Sequence, residues 1–135
     1  MVAPPSDMRL NNTIQQEDKM GREFKSPESV SSWKQVANLP PGAEEIILYR
    51  DENSGTYVRL LRLPPGFTGT DKPLKHDFDE VVYIIQGGVV DRLTNKAYPA
   101  GFFASFPEGL EHGPLGAPVG ALFIEFRHYK TKGKK

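Results

Sequence analysis

The amino-acid sequence predicts an all-β domain of antiparallel strands closed into a sandwich or barrel. From Val30 onward short apolar runs recur, and clusters of Gly, Pro, Asn and Asp separate them. Nowhere does the 3.6-residue period of a long amphipathic helix persist. At 135 residues the chain is one domain by size, large enough for a two-sheet core and too small for a second, cofactor-binding domain.

Taken in chain order, residues 1–29 are polar and broken by Pro4, Pro5 and Pro27, which predicts an extended N-terminal arm. Residues 30–129 carry the domain. Its expected strands are Glu45–Tyr49, Thr56–Leu63, Glu80–Ile85, Val89–Leu93, Gly101–Phe106 and Val119–Arg127. Asp51 to Gly55 form one hairpin turn, and Thr94, Asn95 and Lys96 form another. Pro64, Pro65 and Gly66 close the second strand. Residues 130–135, with Lys130, Lys132, Lys134 and Lys135, read as a basic, solvated tail.

Composition narrows the function classes. The 17 basic residues match the 17 acidic ones, so no net field draws the chain to nucleic acid or to an anionic membrane, and a small-molecule substrate is the expected partner. No run approaches 18 apolar residues and no basic stretch precedes an apolar one at the N-terminus, so a cytoplasmic location is expected. The absence of cysteine excludes disulfides, thiolate ligands and a cysteine nucleophile; any metal must be held by nitrogen and oxygen. The sequence contains no G-x-S-x-G, no P-loop and no dinucleotide fingerprint, which argues against serine hydrolases, kinases and nicotinamide enzymes.

Two half-motifs stand out. His76 is followed by Glu80 and Gly87, in the pattern H-x3-E-x6-G. Further on, Gly101, Pro107, Gly109 and His112 follow G-x5-P-x-G-x2-H. Pro107 and Gly109 supply a tight turn that can aim His112 back toward His76 and Glu80. Two imidazoles and one carboxylate are the set a divalent transition metal takes when coordination positions must stay open for chemistry.

These motifs resemble those of the cupin superfamily. Against the cupin first motif, G-x5-H-x-H-x3-E-x6-G, His76 and Glu80 match the second His and the Glu, while Leu74 stands where the first His is usual. Against the second, G-x5-P-x-G-x2-H-x3-N, only the last position departs, with Gly116 in place of Asn. The resemblance spans about residues 44–128 and is nearest in character to small single-domain cupins of the kind that include acetylacetone dioxygenase. It implies an RmlC-like jelly roll, or double-stranded β-helix, a metal held by His76, Glu80 and His112, and a homodimer in which the N-terminal arm lies across the partner.

A divalent ion on those three residues carries net charge near plus one, which suits a carboxylate, an enolate or a deprotonated hydroxyl. Fe(II) is the expected ion, with Zn, Mn or Ni as alternatives. If Leu74 faces the metal it forms an apolar wall and leaves a coordination position open; if the loop is shifted, metal binding is lost. Asp77 or Asp79 can replace the missing imidazole, or can be a solvated loop charge. On the last strand His128 shares parity with Leu122, Ile124 and Phe126, and Arg62 shares parity with Val58 and Leu60. On the reading that these apolar residues face inward, His128 can serve as a fourth ligand or as a base beside the ligands and Arg62 can bind a substrate anion, so both join Leu74 and Phe106 as candidate substrate contacts; the alternative places His128 at the barrel rim and Arg62 at the solvent. Phe78, Tyr83, Phe102, Phe103 and Phe106 are expected to line or back the pocket.

The function these residues suggest is a metal-dependent enzyme acting on a small enolisable or hydroxylated carbonyl compound, in particular a non-haem Fe(II) dioxygenase. A redox-neutral isomerase, lyase or hydrolase, and a non-catalytic small-molecule-binding cupin, are the alternatives.

Overall fold

The computed structural model describes residues 21–130. Most of the expected arm, residues 1–20, and Lys132, Lys134 and Lys135 of the tail lie outside the described residues. Within them the fold is all-β. One helical turn, α1 (Pro27–Val30), precedes ten strands: β1 (Lys34–Gln35), β2 (Glu44–Arg50), β3 (Tyr57–Leu63), β4 (Leu74–Lys75), β5 (Asp79–Asp91), β6 (Lys96–Pro99), β7 (Phe103–Phe106), β8 (Glu111–His112), β9 (Leu115–Gly116) and β10 (Ala121–His128). No helix among the described residues is long and apolar enough to cross a membrane.

The main sheet runs β1-β2-β3-β10-β5-β6, with β7 and β9 also paired to β5, and β4 pairs β8 separately. All pairings are antiparallel. The strand that organises this arrangement is β5, expected from sequence as two strands and found as one of 13 residues. Its first half pairs with β10 and β7, its second half with β6 and β9. The change of partners occurs at Gly87, where φ is +75° and a Cβ would lie 2.0 Å from the Gly120 carbonyl oxygen. The gap read between two strands is thus a glycine corner inside one strand, where only a missing side chain lets β5 pass so close to the turn before β10. The second hairpin turn covers Arg92 to Asn95, with Lys96 already in β6, a strand the sequence reading passed over.

Inward residues form rows across the barrel wall. At one end Phe106, Glu80, Arg127 and Tyr57 are in register across β7, β5, β10 and β3. The next row holds Val82, Glu125 and Arg59, and the next Ile84, Phe123 and Leu61. The interior is therefore charged at one end and hydrocarbon below, where Leu61, Leu63, Val82, Ile84, Val89 and Phe123 form the core with Phe67 and Ala121.

This gradation corrects two orientations. On β10 the buried set is Ala121, Phe123 and Glu125, while Phe126 and His128 are exposed. On β3 Arg59, Leu61 and Leu63 are buried and Arg62 is exposed. His128 and Arg62 therefore point out of the barrel, because Arg59, Glu125 and Arg127 occupy the inner face and leave the parity of Val58, Leu60, Leu122 and Ile124 on the outer one. Arg62 pairs with Glu44 at 2.7 Å and stacks over the Trp33 ring, and His128 stacks on Phe126. Tyr83, Phe102 and Phe103 are likewise exposed.

The glycine corner gives a direct test. Gly87→Ala should lower stability by at least about 2 kcal/mol, since it adds a backbone clash to the positive φ. Gly101→Ala, also at positive φ but with no atom within 4 Å of the added carbon, should cost only about 1–2 kcal/mol. Urea unfolding midpoints of the two variants measure the difference.

Candidate metal centre

The two half-motifs meet because their backbones are clasped. β4 pairs β8 with Leu74 opposite His112 and Lys75 opposite Glu111. Beyond that pairing, the Gly109 N–H donates to the His76 carbonyl at 2.9 Å, and the Glu108 N–H donates to Asp79 Oδ1 at 2.9 Å. The Leu110 N–H donates back to the Pro107 carbonyl at 3.1 Å, and Gly109 has φ +86°. This is a tight turn with glycine at the position that needs positive φ. Asp79 thus serves the backbone and pairs with Lys130, and Asp77 is exposed. Neither belongs to the group of possible ligands.

His76, Glu80 and His112 form that group, with one ligand atom from each lying within 4.8 Å of the others. Glu80 Oε1 is 3.6 Å from His112 Nε2 and 3.9 Å from His76 Nε2. Atoms bound at about 2.0–2.2 Å to a shared ion stand roughly 3 Å apart, so a small side-chain adjustment suffices. Each imidazole has a phenyl ring behind it. His112 stacks on Phe106 with centroids 4.0 Å apart and planes within 2°, and His76 stacks on Phe78 at 4.3 Å. These contacts hold the rings in place without using a ring nitrogen.

Electrostatics bear on whether the site suits a cation. Burial pushes the Glu80 carboxyl up to about 8, reinforced by the Glu125 carboxylate and opposed by Arg127 and Arg59. Burial lowers His76 to about 4, and the neighbouring His112 imidazole and Arg127 guanidinium add to the effect because a charge on His76 would meet theirs. Burial also lowers His112. Both histidines are therefore neutral at pH 7, as ligands must be, while Glu80, although 3.5 Å from Arg127, is pushed toward its neutral form by burial and by Glu125. Both ring nitrogens of His112 are buried with no hydrogen-bond partner among the described residues. Polar atoms orphaned in this way are costly unless something binds them. The donor set, its protonation and the orphaned nitrogens fit a divalent cation.

The triad opens into a cavity of about 450 Å³. Leu74 and Phe106 line it, as do Phe78 and Tyr57; Arg62 and His128 do not. Sequence reasoning missed the interior ion-pair cluster. Arg59 donates Nε to Glu125 at 2.8 Å and Nη1 to Glu45 at 2.6 Å, and Arg127 Nε lies 3.5 Å from Glu80 Oε2. The available signal was a pair of opposite charges, Glu125 and Arg127, on one parity of an otherwise apolar strand.

No family model and no curated protein matches this chain. Solved structures do. An RmlC-like cupin from Shewanella frigidimarina NCIMB 400 superposes with TM-score 0.64 at 17% identity, covering 85% of this chain and 97% of its own. An acetylacetone dioxygenase from Acinetobacter johnsonii gives 0.64 at 12% identity, covering 84% and 78%. The polyketide cyclase RemF from Streptomyces resistomycificus gives 0.61 at 16%, covering 80% of each. The chain has the cupin fold.

Glu80 and His76 fix a pH dependence. Glu80 holds its proton to a higher pH folded than unfolded, so its contribution is lost as pH rises from about 4.5 to about 8. His76 is protonated less readily when folded, so its contribution is lost as pH falls from about 6.5 to about 4. Above pH 6.5 only the Glu80 effect operates. Metal-free protein should therefore melt at lower temperature at pH 8 than at pH 6.5, Glu80→Gln should flatten that slope, and Zn2+ should reverse it; melting curves by circular dichroism provide the measurement.

Proposed function

We propose that this cupin-fold chain is a metal-dependent enzyme acting on a small enolisable or hydroxylated carbonyl compound, with Fe(II) dioxygenase chemistry as the specific reading. The observation that carries it is the convergence of His76, Glu80 and His112 on one point at the charged end of a cavity of about 450 Å³. A divalent ion there supplies Lewis acidity, a lowered pKa for a coordinated hydroxyl or enol and, as Fe(II), reactivity with dioxygen.

The protein's own residues supply the rest. Phe78 and Phe106 fix the imidazole planes, and the clasp between residues 76–79 and 108–112 fixes their separation. Leu74 presents hydrocarbon where cupins usually place another His, leaving room beside the triad for substrate. Below it, Leu61, Val82 and Phe123 exclude water from the inner part of the cavity. A solved neighbour of the same fold is an acetylacetone dioxygenase, which agrees with an oxygenase acting on an enolisable carbonyl.

A redox-neutral reading has its own support. Three protein ligands with an open position are also the arrangement of catalytic zinc, and another solved neighbour is a polyketide cyclase. Elemental analysis of protein purified without added metal, followed by anaerobic loading with Fe(II) and an oxygen-uptake screen over diketones and phenolic acids, separates the readings. Uptake that falls at least about 100-fold in His112→Ala supports the dioxygenase, by comparison with the 10–100-fold cost of losing a mere ligand-orienting group. Metal-dependent conversion without oxygen consumption moves the assignment to an isomerase, lyase or hydrolase. Substrate retained without turnover in either case identifies a binding protein.

A homodimer is proposed on the outward face of β5, β7 and β10. Val81, Tyr83, Phe103 and Phe126 are 38%, 44%, 69% and 40% exposed there, with Tyr83 opposite Phe103 and Val81 opposite Phe126 in the register, an apolar patch that a second copy can cover. Light scattering should give a dimer for the full chain and a monomer for Phe103→Glu.

A further inference from the structure

The central cavity contains two arginines, and their donors are used very differently. Arg59 is tied to two carboxylates by short hydrogen bonds, to Glu125 at 2.8 Å and to Glu45 at 2.6 Å. Arg127 lines the same cavity, but its Nε is buried without a hydrogen-bond partner among the described residues; the nearest carboxylate oxygen, Glu80 Oε2, is 3.5 Å away. The other oxygen of Glu80 faces the histidines. The guanidinium is also held rigidly, its central carbon lying 4.5 Å from the centroid of Phe78 and 5.3 Å from that of Tyr57. Packing against two aromatic rings fixes a cation without occupying its N–H groups.

We propose that Arg127 binds the anionic group of the substrate, and that the substrate is a monoanion: one two-oxygen group, a carboxylate or a 1,3-dicarbonyl enolate, on an apolar body. A planar guanidinium presents paired donors that match two oxygens of one anion. The register places Arg127 beside Glu80 on the adjacent strand, so an anion held by Arg127 has its attached carbon next to the triad. Three carboxylates, Glu45, Glu80 and Glu125, share the interior with the two guanidiniums, which leaves one negative charge; a divalent cation turns that into one positive charge, and one anion balances it. A second anionic group would meet Glu45 and Glu125. The rest of the wall, Leu61, Leu63, Phe67 and Phe123, accepts hydrocarbon.

This inference rests on the reading of the cavity as the substrate site; the choice of a monoanion also takes a divalent cation on the triad, whichever metal that is. The probes are benzoate, benzamide and oxalate, titrated calorimetrically into the full chain with and without Zn2+. Benzoate should bind at least tenfold more tightly than the neutral amide or the dianion. Arg127→Met should weaken benzoate at least tenfold, Arg127→Lys should recover only part of that loss because it keeps the charge without the paired donors, and both should bind Zn2+ within about threefold of the unmodified chain. Equal benzoate affinity in Arg127→Met, no benzoate binding at all, or a loss of Zn2+ affinity matching the loss of benzoate would overturn the proposal, the last by showing that Arg127 only positions Glu80. Should Arg127→Met fail to fold, the Arg127 Nε–H resonance, assigned by its absence from Arg127→Lys, decides: a shift at benzoate saturation supports the proposal and its constancy refutes it. Arg127-dependent benzoate binding by a chain that does not take up Zn2+ would remove the metal reading and the charge balance that selects a monoanion, and leave Arg127 as the anion contact.

Discussion

Glu80 is buried inside the barrel with a second carboxylate, Glu125, close by, and the neighbouring architecture answers to that constraint. A carboxylate taken out of water stays neutral or finds positive charge. Arg127 stands near it without bonding it, Arg59 is already committed to Glu45 and Glu125, and the two nearby imidazoles are themselves held neutral by burial. The site is therefore arranged so that ionising Glu80 and binding a cation accompany one another. The same logic explains the orphaned nitrogens of His112, which hydrophobic packing against Phe106 leaves without partners.

Bringing three such residues together requires two distant stretches of chain to be held side by side, and the fold does this chiefly with backbone, helped by the Asp79 side chain. The β4–β8 pairing and the bond from Gly109 to the His76 carbonyl make the ligand-bearing segments one unit. Side chains of the triad are then free of structural duty. Asp79, next in sequence to Glu80, is spent on the clasp through the Glu108 N–H, so adjacent carboxylates take separate roles according to the direction each faces.

The cupin fold is shared by solved proteins with different chemistries, among them a dioxygenase and a cyclase, so the scaffold does not choose the reaction. What distinguishes this chain lies inside: Leu74 at a usual ligand position, and the row of Phe106, Glu80, Arg127 and Tyr57 across four strands. On the proposed reading, that row and the hydrocarbon beneath it set the charge and shape of the substrate. Substitutions along β3 and β10 are thus expected to alter specificity more than metal affinity, whereas the clasp governs the triad.

The motif residues were legible because their spacing is a property of the chain: His76, Glu80, Gly109 and His112 are recognisable wherever they lie, and glycine and proline announce the turn that aims them. Strand number along β5 was misread, since Gly87 looks the same as a loop glycine until Gly120 is found against it. The inner face of β3 and β10 was misread for a deeper reason. Alternation fixes which residues share a face but not which face is inside, and the usual choice of apolar inward fails when the interior holds a site whose charges pair with one another. By itself, then, the sequence determined an all-β domain and the identity of three possible ligands, because strand periodicity and motif spacing are local. Only the tertiary structure decided that Arg59, Glu125 and Arg127 face the cavity and that Arg62 and His128 face away, because that outcome depends on which cross-strand partners can balance a buried charge.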